Sequence, residues 1–176
     1  MRLALKQAIG AFSKAAVLFA GLLLLACIPA QAQKKRPYPS IQSYIDTFAG
    51  QAVYLQRETG IPASVILGVA IVESAYGNSK NSQILHNHFG IIGSNNLRQR
   101  GLRYRSRYKE YESDSASFAH FCTVIMSKPY YEKIKGMRNN GIWLKHISKT
   151  YTTARSKWAK RVLFIIRKYK LGRFNA

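Results

Sequence analysis

The chain has 176 residues, 47% of them hydrophobic, enough for one domain with a real core. Lys and Arg number 28 against seven Asp and Glu, giving a formal charge of +21. That balance argues against an acidic or charge-neutral surface and favours a polyanionic partner: cell-wall polymer, anionic lipid or nucleic acid.

The N-terminus has the pattern of an export signal. Arg2, Lys6 and Lys14 give a basic start, and residues 15–26 (AAVLFAGLLLLA) form an apolar stretch too short for a comfortable membrane span. Ala30-Gln31-Ala32 then supplies a small-x-small cleavage site. Residues 1–32 read as a secretory signal peptide, so the mature chain starts at Gln33, is exported to the periplasm or beyond, and keeps no transmembrane span. The alternative is a lipoprotein anchored through Cys27, after Leu24-Leu25-Ala26, although Leu25 is not the usual small residue at that place. An uncleaved anchor is a third reading. Cleavage takes three positive charges from the +21 chain and leaves about +18. Export weighs against a nucleic-acid partner, and no zinc-finger or RNA-binding aromatic motif is present. Without Cys27, Cys122 has no partner for an internal disulfide.

Residues 33–40 (QKKRPYPS) read as a polar linker. Ile41, Ile45, Phe48, Ala52 and Leu55 then mark one apolar helical face that ends before Gly60. Pro62 stands at a first-turn position and opens a buried helix that carries Glu73. A short helix is expected over residues 79–85 and a strand-like turn over 88–92 (HFGII). Arg103, Arg105 and Arg107 alternate with Leu102, Tyr104 and the Tyr108 region, which predicts a small hairpin. Ser113 begins another helix, with Asp114 in its first turn, running to about Lys128. Phe118, Phe121, Cys122 and Ile125 share one face of it, so Cys122 reads as a small core residue. Pro129 starts the next element, and Gly136 and Gly141 punctuate. The last helix carries Trp158, Val162, Ile165 and Tyr169 on one face with Lys and Arg opposite. The fold class is mainly α, a helical domain over residues 41–172 with a small β-hairpin lobe.

Glu73 carries the most chemistry. It closes a run of eight uncharged residues, 65–72, and a carboxylate there is costly unless it works or is paired. Apolar surroundings and the partial negative charge of a helix C-terminus both raise its pKa. A carboxyl group kept protonated near neutral pH is what a glycosidic general acid needs. A helix-end Glu paired with one of the many basic residues is the competing reading. His86, His88, His120 and His146 form no zinc pattern, and no metal or organic cofactor is implied.

Four segments in order carry a resemblance: TGIPASVILGVAIVESAYGNS (residues 59–79), HNHFGIIGS (86–94), YKEYESDSASFAHF (108–121) and YTTARSKWAKRVLFIIRKYKL (151–171). Together they resemble the bacterial glucosaminidase domain of glycoside hydrolase family 73, of the flagellar peptidoglycan hydrolase and autolysin type, over nearly the whole mature chain. The resemblance implies a lysozyme-like helical fold and cleavage of the β-1,4 bond after N-acetylglucosamine in peptidoglycan strands. It makes Glu73 the general acid and puts Tyr151 near the reacting sugar. It has Phe89 and Gly90 shape the groove floor, with Ser74, Tyr76 and Asn87 on the substrate side. Apart from the resemblance, Tyr104, Tyr108 and Tyr111 of the arginine-rich segment either offer stacking surfaces for sugar rings or pack inward. Where the family has Asp after Tyr-Ala-Thr, this chain has Ala154 and Arg155.

The second carboxylate is the larger departure. Two-carboxylate glycosidases need a nucleophile or base opposite the acid. Residues 93–109 contain none and carry Arg98, Arg100, Arg103, Arg105, Arg107 and Lys109 instead. A displaced base at Glu110 or Glu112 is one solution, and help from the substrate's own 2-acetamido group is another. A lytic transglycosylase route using Glu73 alone is the third, since Glu73-Ser74 also resembles the Glu-Ser of single-carboxylate transglycosylases. A non-catalytic cationic wall-binding module is the alternative outside enzymology. The arginines suit peptide-stem carboxylates or other anionic envelope polymers, or form a solvated basic face.

Overall fold

A capping box opens the first helix: Ser40 Oγ accepts from Ser43 N at 3.0 Å, and Ser43 Oγ accepts from Ser40 N at 3.2 Å. In this computed structural model residues 37–151 and 153–175 are described, the side chain of Tyr151 excepted. The expected leader, its cleavage site, Cys27 and the first half of the linker lie outside the described residues. Helix α1 (Ile41–Thr59) buries Tyr44, Ile45, Phe48, Ala52, Leu55 and Thr59 on one side and stops at Gly60. Among the described residues no helix is long and apolar enough to cross a membrane.

Helix α2 (Ala63–Ser74) is apolar on every side, so it can be stable only at the centre. Every residue from Ala63 to Ile71 is buried. Helix α1, helices α6 (Asn140–Tyr151) and α7 (Arg155–Lys168), and a closing 3-10 turn (Leu171–Phe174) pack around it. Each fully buried Val, Leu or Ile contributes about 1.5–3 kcal/mol, so this helix anchors the core. Its C-terminal end, with Glu73, is where the surroundings turn from apolar to polar.

Short helix α3 (Lys80–Leu85) is capped by Ser79, as the sequence predicts for this stretch. Residues 86–113 then form an irregular lobe. Its β pairing, among the described residues, is one isolated antiparallel bridge between Ile92 and Tyr108. Backbone bonds from Gly93 N to Arg107 O (3.1 Å), Lys109 N to Ile91 O (2.8 Å) and Glu110 N to Ser94 O (3.0 Å) join the two arms around it, in place of the regular hairpin ladder the alternation suggests. Side-chain amides reinforce this short pairing. Asn87 Nδ2 donates to the carbonyls of Ile91 (2.9 Å) and Lys109 (2.8 Å), and Asn95 Nδ2 to those of Ser106 (2.8 Å) and Tyr108 (2.9 Å). The predicted alternation survives as exposure: Arg103, Arg105 and Arg107 face solvent while Tyr104, Ser106 and Tyr108 are half-buried.

Helix α4 (Asp114–Met126), with Ser113 as its N-cap, and α5 (Tyr131–Ile134) complete the wall beside α1. Cys122 is buried in α4, and burial pushes its thiol up to about 12, so it is an inert core residue. Helix α6 goes beyond the sequence reading. Its Trp143, Leu144 and Ile147 are fully buried, and it ends at Tyr151, so the fourth motif spans a helix junction rather than one helix. In α7 the buried pair is Val162 and Ile166, one position on from the expected Ile165.

A polar chain ties the lobe to α1 and α4. Tyr44 Oη meets His88 Nδ1 at 2.8 Å, His88 Nε2 lies 3.0 Å from Asp114 Oδ1, and His86 Nδ1 lies 2.7 Å from the same oxygen. Burial opposes ionisation of Asp114, but hydrogen bonds from His88 and His86 outweigh it and hold the carboxyl below its ordinary value of 3.8. A depressed carboxyl pKa contributes stability that is present above the unfolded value and lost as pH falls through the lower folded one. Asp114→Asn is expected to cost about 1–3 kcal/mol at pH 7, read from urea melts. The gap to the wild type should close below the ordinary value of 3.8.

Candidate active site

Glu73 sits in the last turn of α2, with its carboxyl half-buried between α7 and the lobe. The chain leaves the helix abruptly. Ala75 and Tyr76 both adopt left-handed backbone, with φ of 51° and 46°. Such positions cost of order 1 kcal/mol each, and Ser74 helps to hold them. Its hydroxyl donates to Ala70 O at 2.6 Å and accepts from Gly77 N at 2.8 Å.

The two oxygens of Glu73 have different surroundings. Oε1 accepts a hydrogen bond from the indole Nε1 of Trp158 at 2.6 Å. Oε2 faces Gly90, whose φ is +64°, a value that favours glycine. A Cβ on Gly90 would stand 3.5 Å from Oε2 and 3.8 Å from Tyr108 Cε1, so any longer side chain would fill the space beside the carboxyl. The Arg107 guanidinium lies 6.0 Å from the centre of the Tyr108 ring. Burial raises the Glu73 pKa above its ordinary value; the Trp158 hydrogen bond and the charge of Arg161 oppose that rise without cancelling it. The result is a carboxyl that holds its proton to higher pH than a surface Glu and can give it to a bound group.

The predicted site residues divide into two sets. Glu73, Gly90 and Tyr108 come together. Ser74, Asn87 and Phe89, expected on the substrate side or groove floor, are buried. Ser74 is buried and spends its hydroxyl on the turn. The Asn87 side chain also accepts from Ile91 N at 3.1 Å and is wholly engaged in the lobe backbone. Phe89 is fully buried and stacks on Phe121 with ring centres 4.2 Å apart, so it supports Gly90 from beneath. Tyr76 is half-buried against the core. Tyr104 turns towards α3: its hydroxyl donates to Asn81 Oδ1 at 2.6 Å, and Lys80 lies over its ring. Tyr151 has its side chain outside the described residues.

Glu110 and Glu112 belong elsewhere on the lobe. Glu110 forms an ion pair with Arg100 and accepts from Asn96 N at 2.7 Å. Glu112 is exposed. Both line a hollow of about 340 Å³ with Ser94, Asn95, Asn96 and Tyr111, and none of Glu73, Gly90, Tyr108 or Trp158 lines it. Among the described residues no cluster of three or more His, Cys, Asp or Glu could hold a metal ion.

Trp158 and Arg161 are the neighbours of Glu73 that sequence reasoning placed in other roles, one as a core residue and the other on a solvent face. Trp158 comes from the first turn of α7, 85 positions along the chain from Glu73. Its signal was available: an indole at a helix start, on the face that packs against a helix ending in a lone carboxyl. Its partner could be named only once α7 was seen to lie along α2.

A sequence model described as mannosyl-glycoprotein endo-beta-N-acetylglucosaminidase (Glucosaminidase) matches residues 49–171. That span takes in Glu73, Gly90, Tyr108 and Trp158. Solved structures share the fold. The catalytic domain of the autolysin Auto from Listeria monocytogenes is 20% identical, with a TM-score of 0.63 over 81% of this chain and 92% of that one. The glycoside hydrolase domain of FlgJ from Salmonella typhimurium is 15% identical, with a TM-score of 0.57 over 74% of this chain and 89% of that one. A peptidoglycan hydrolase mutant from Sphingomonas sp. A1 is 18% identical, with a TM-score of 0.58 over 76% and 97%. No curated protein sequence gives a significant match.

Proposed function

This chain belongs to the glucosaminidase family and is a glycoside hydrolase, and from that premise we propose that it cleaves the β-1,4 bond after N-acetylglucosamine in peptidoglycan, with Glu73 as its acid. The observation that carries this reading is the Glu73 carboxyl itself: half-buried, raised in pKa, held on one oxygen and open on the other towards Gly90 and Tyr108. Similarity to an autolysin catalytic domain and to a peptidoglycan hydrolase supports the wall glycan as substrate. The basic surface suits a polymer that carries carboxylates.

Glu110 is committed to Arg100 and Asn96 N, which favours a mechanism with one protein carboxylate. In the first step Glu73 gives its proton to the glycosidic oxygen as the C1–O bond breaks. The 2-acetamido carbonyl oxygen of the same sugar bonds to C1 from the opposite face, and the leaving sugar departs as an alcohol. In the second step the Glu73 carboxylate takes a proton from water as that water attacks C1. The C1 bond to the acetamido oxygen breaks, the acetamide is restored and Glu73 is an acid again. The first step needs protonated Glu73, so the rate falls as pH rises through its raised pKa. An exported chain, delivered by the leader read at residues 1–32, would meet this substrate in the envelope.

Mass spectrometry of digested peptidoglycan tests the proposal, with Glu73→Gln run alongside. Fragments ending in reducing N-acetylglucosamine, absent with the variant, are the expected result. Anhydro-muramic ends would move the chain to the transglycosylase route, in which the muramic 6-hydroxyl attacks in place of water. An undiminished digest by Glu73→Gln would remove the acid assignment.

A further inference from the structure

We infer that Trp158 is the positioning residue of the acid: its indole N–H occupies Oε1 of Glu73 and leaves Oε2, the oxygen over Gly90, to carry and deliver the proton. The inference rests on the reading of Glu73 as the acid and adds which oxygen acts and what aims it. A protonated carboxyl has one carbonyl and one hydroxyl oxygen, and the carbonyl oxygen is the better acceptor. An N–H donor 2.6 Å from Oε1 therefore favours the tautomer with the proton on Oε2. That oxygen faces a backbone position with no side chain, where a glycosidic oxygen has room to approach. An indole donates and cannot accept, so Trp158 neither takes the proton nor competes as the acid.

No polar side chain of α2 is left for this task, since Ser74 spends its hydroxyl on the turn. The residues preceding Glu73 in its helix are apolar back to Ser64, whose hydroxyl donates to Asn140 Oδ1 at 2.9 Å. The orienting donor has to arrive from another element, and the first turn of α7 delivers it. Without it the carboxyl of a flexible Glu would sample rotamers, and a misplacement of about 1 Å can cost 10²-fold in rate.

Two measurements test this on the intact chain. The protein has two tryptophans, and Trp143 donates its indole N–H to Met137 O at 2.8 Å, a partner that does not titrate. In ¹H–¹⁵N spectra one indole resonance should move with pH, its midpoint matching the alkaline limb of kcat, and Glu73→Gln should abolish the movement. An indole pair that ignores pH, or one that still titrates in Glu73→Gln, would overturn the inference without any need for a Trp158 variant to fold.

The second measurement is kinetic. Trp158→Phe keeps an aromatic ring and deletes the N–H. Turnover on peptidoglycan is expected to fall about 10- to 100-fold with KM within about twofold. The alkaline limb should move to higher pH, because a bond that favours the carboxylate has been removed. A residue that merely packs would lower activity without moving the limb, and that result overturns the inference. If Glu73→Gln is inactive while the Trp158→Phe limb stays in place, the inference alone fails; if Glu73→Gln is active, the reading of Glu73 fails and the inference with it.

Discussion

Glu73→Gln is expected to lower turnover on peptidoglycan by about 10²–10⁴-fold while leaving the fold intact. Gln keeps the carbonyl oxygen that Trp158 needs at Oε1, so the contact between α2 and α7 survives and the melting temperature should stay within a few degrees. What is lost is the proton at the other position. A single carboxylate serving as acid and then base is lost to both steps, which places the expected effect towards the upper end. Glu110→Gln and Glu112→Gln are the informative companions. Each should keep activity within a few-fold, and Glu110→Gln should cost at most about 1 kcal/mol of stability, because its Arg100 pair is partly exposed. Release of soluble fragments across a pH series, with thermal melts on the same samples, measures all three. A loss at Glu110 or Glu112 as large as that at Glu73 would instead establish a two-carboxylate mechanism with a displaced base.

The helices and the buried approach to Glu73 were legible in the sequence because each is written in local residues. The apolar spacing of Ile45, Phe48, Ala52 and Leu55 and the cap at Ser113 need no knowledge of neighbours. The unbroken apolar run before Glu73 can be stable only at a centre, so burial of α2 followed from composition. The lobe was harder. Its arginine alternation shows up as alternating exposure, but a ladder depends on whether two arms stay in register. Here backbone bonds join the two arms only around Ile92 and Tyr108, and Asn87 and Asn95 brace further carbonyls of the lobe from their side chains. Motif position also overstated exposure. Ser74, Asn87 and Phe89 sit inside the matching segments, yet each works beneath the surface: Ser74 holds the turn that follows Glu73, and Asn87 and Phe89 support the turn that presents Gly90. Trp158 could not be paired with Glu73 in advance, because the pairing depends on how closely α7 approaches α2, and that distance is a tertiary fact.

Gly68 sets that distance, and filling it is expected to harm both stability and catalysis. A Cβ at Gly68 would lie 2.8 Å from Ile166 Cγ1, 3.1 Å from Val162 Cγ1 and 3.2 Å from Ile166 Cδ1. These are the two buried residues of α7, so the helix backbones meet over a position where α2 has no side chain. Glycine inside a helix costs about 1 kcal/mol relative to a good helix former, so Gly68→Leu gains that much in local propensity. The added carbons have no cavity to enter, and overpacking costs about 1–3 kcal/mol, occasionally more. Four new carbons against buried branched side chains belong at the upper end, so packing wins over propensity. The net result should be a loss of roughly 2 kcal/mol or more in urea melts. Gly68→Ala separates the two effects. Its propensity gain nearly offsets the milder clash, so stability should change little. The slight outward push on α7 should still draw Trp158 from Glu73, because Trp158 stands one and two turns before Val162 and Ile166 on the same helix. Activity should therefore fall in Gly68→Ala before stability does. Trimming the opposing side chain in Gly68→Ala/Ile166→Val should restore part of it. A double-mutant cycle reads this directly: residues in contact couple by about 0.5–3 kcal/mol, whereas strict additivity would mean that the two helices do not meet at this glycine.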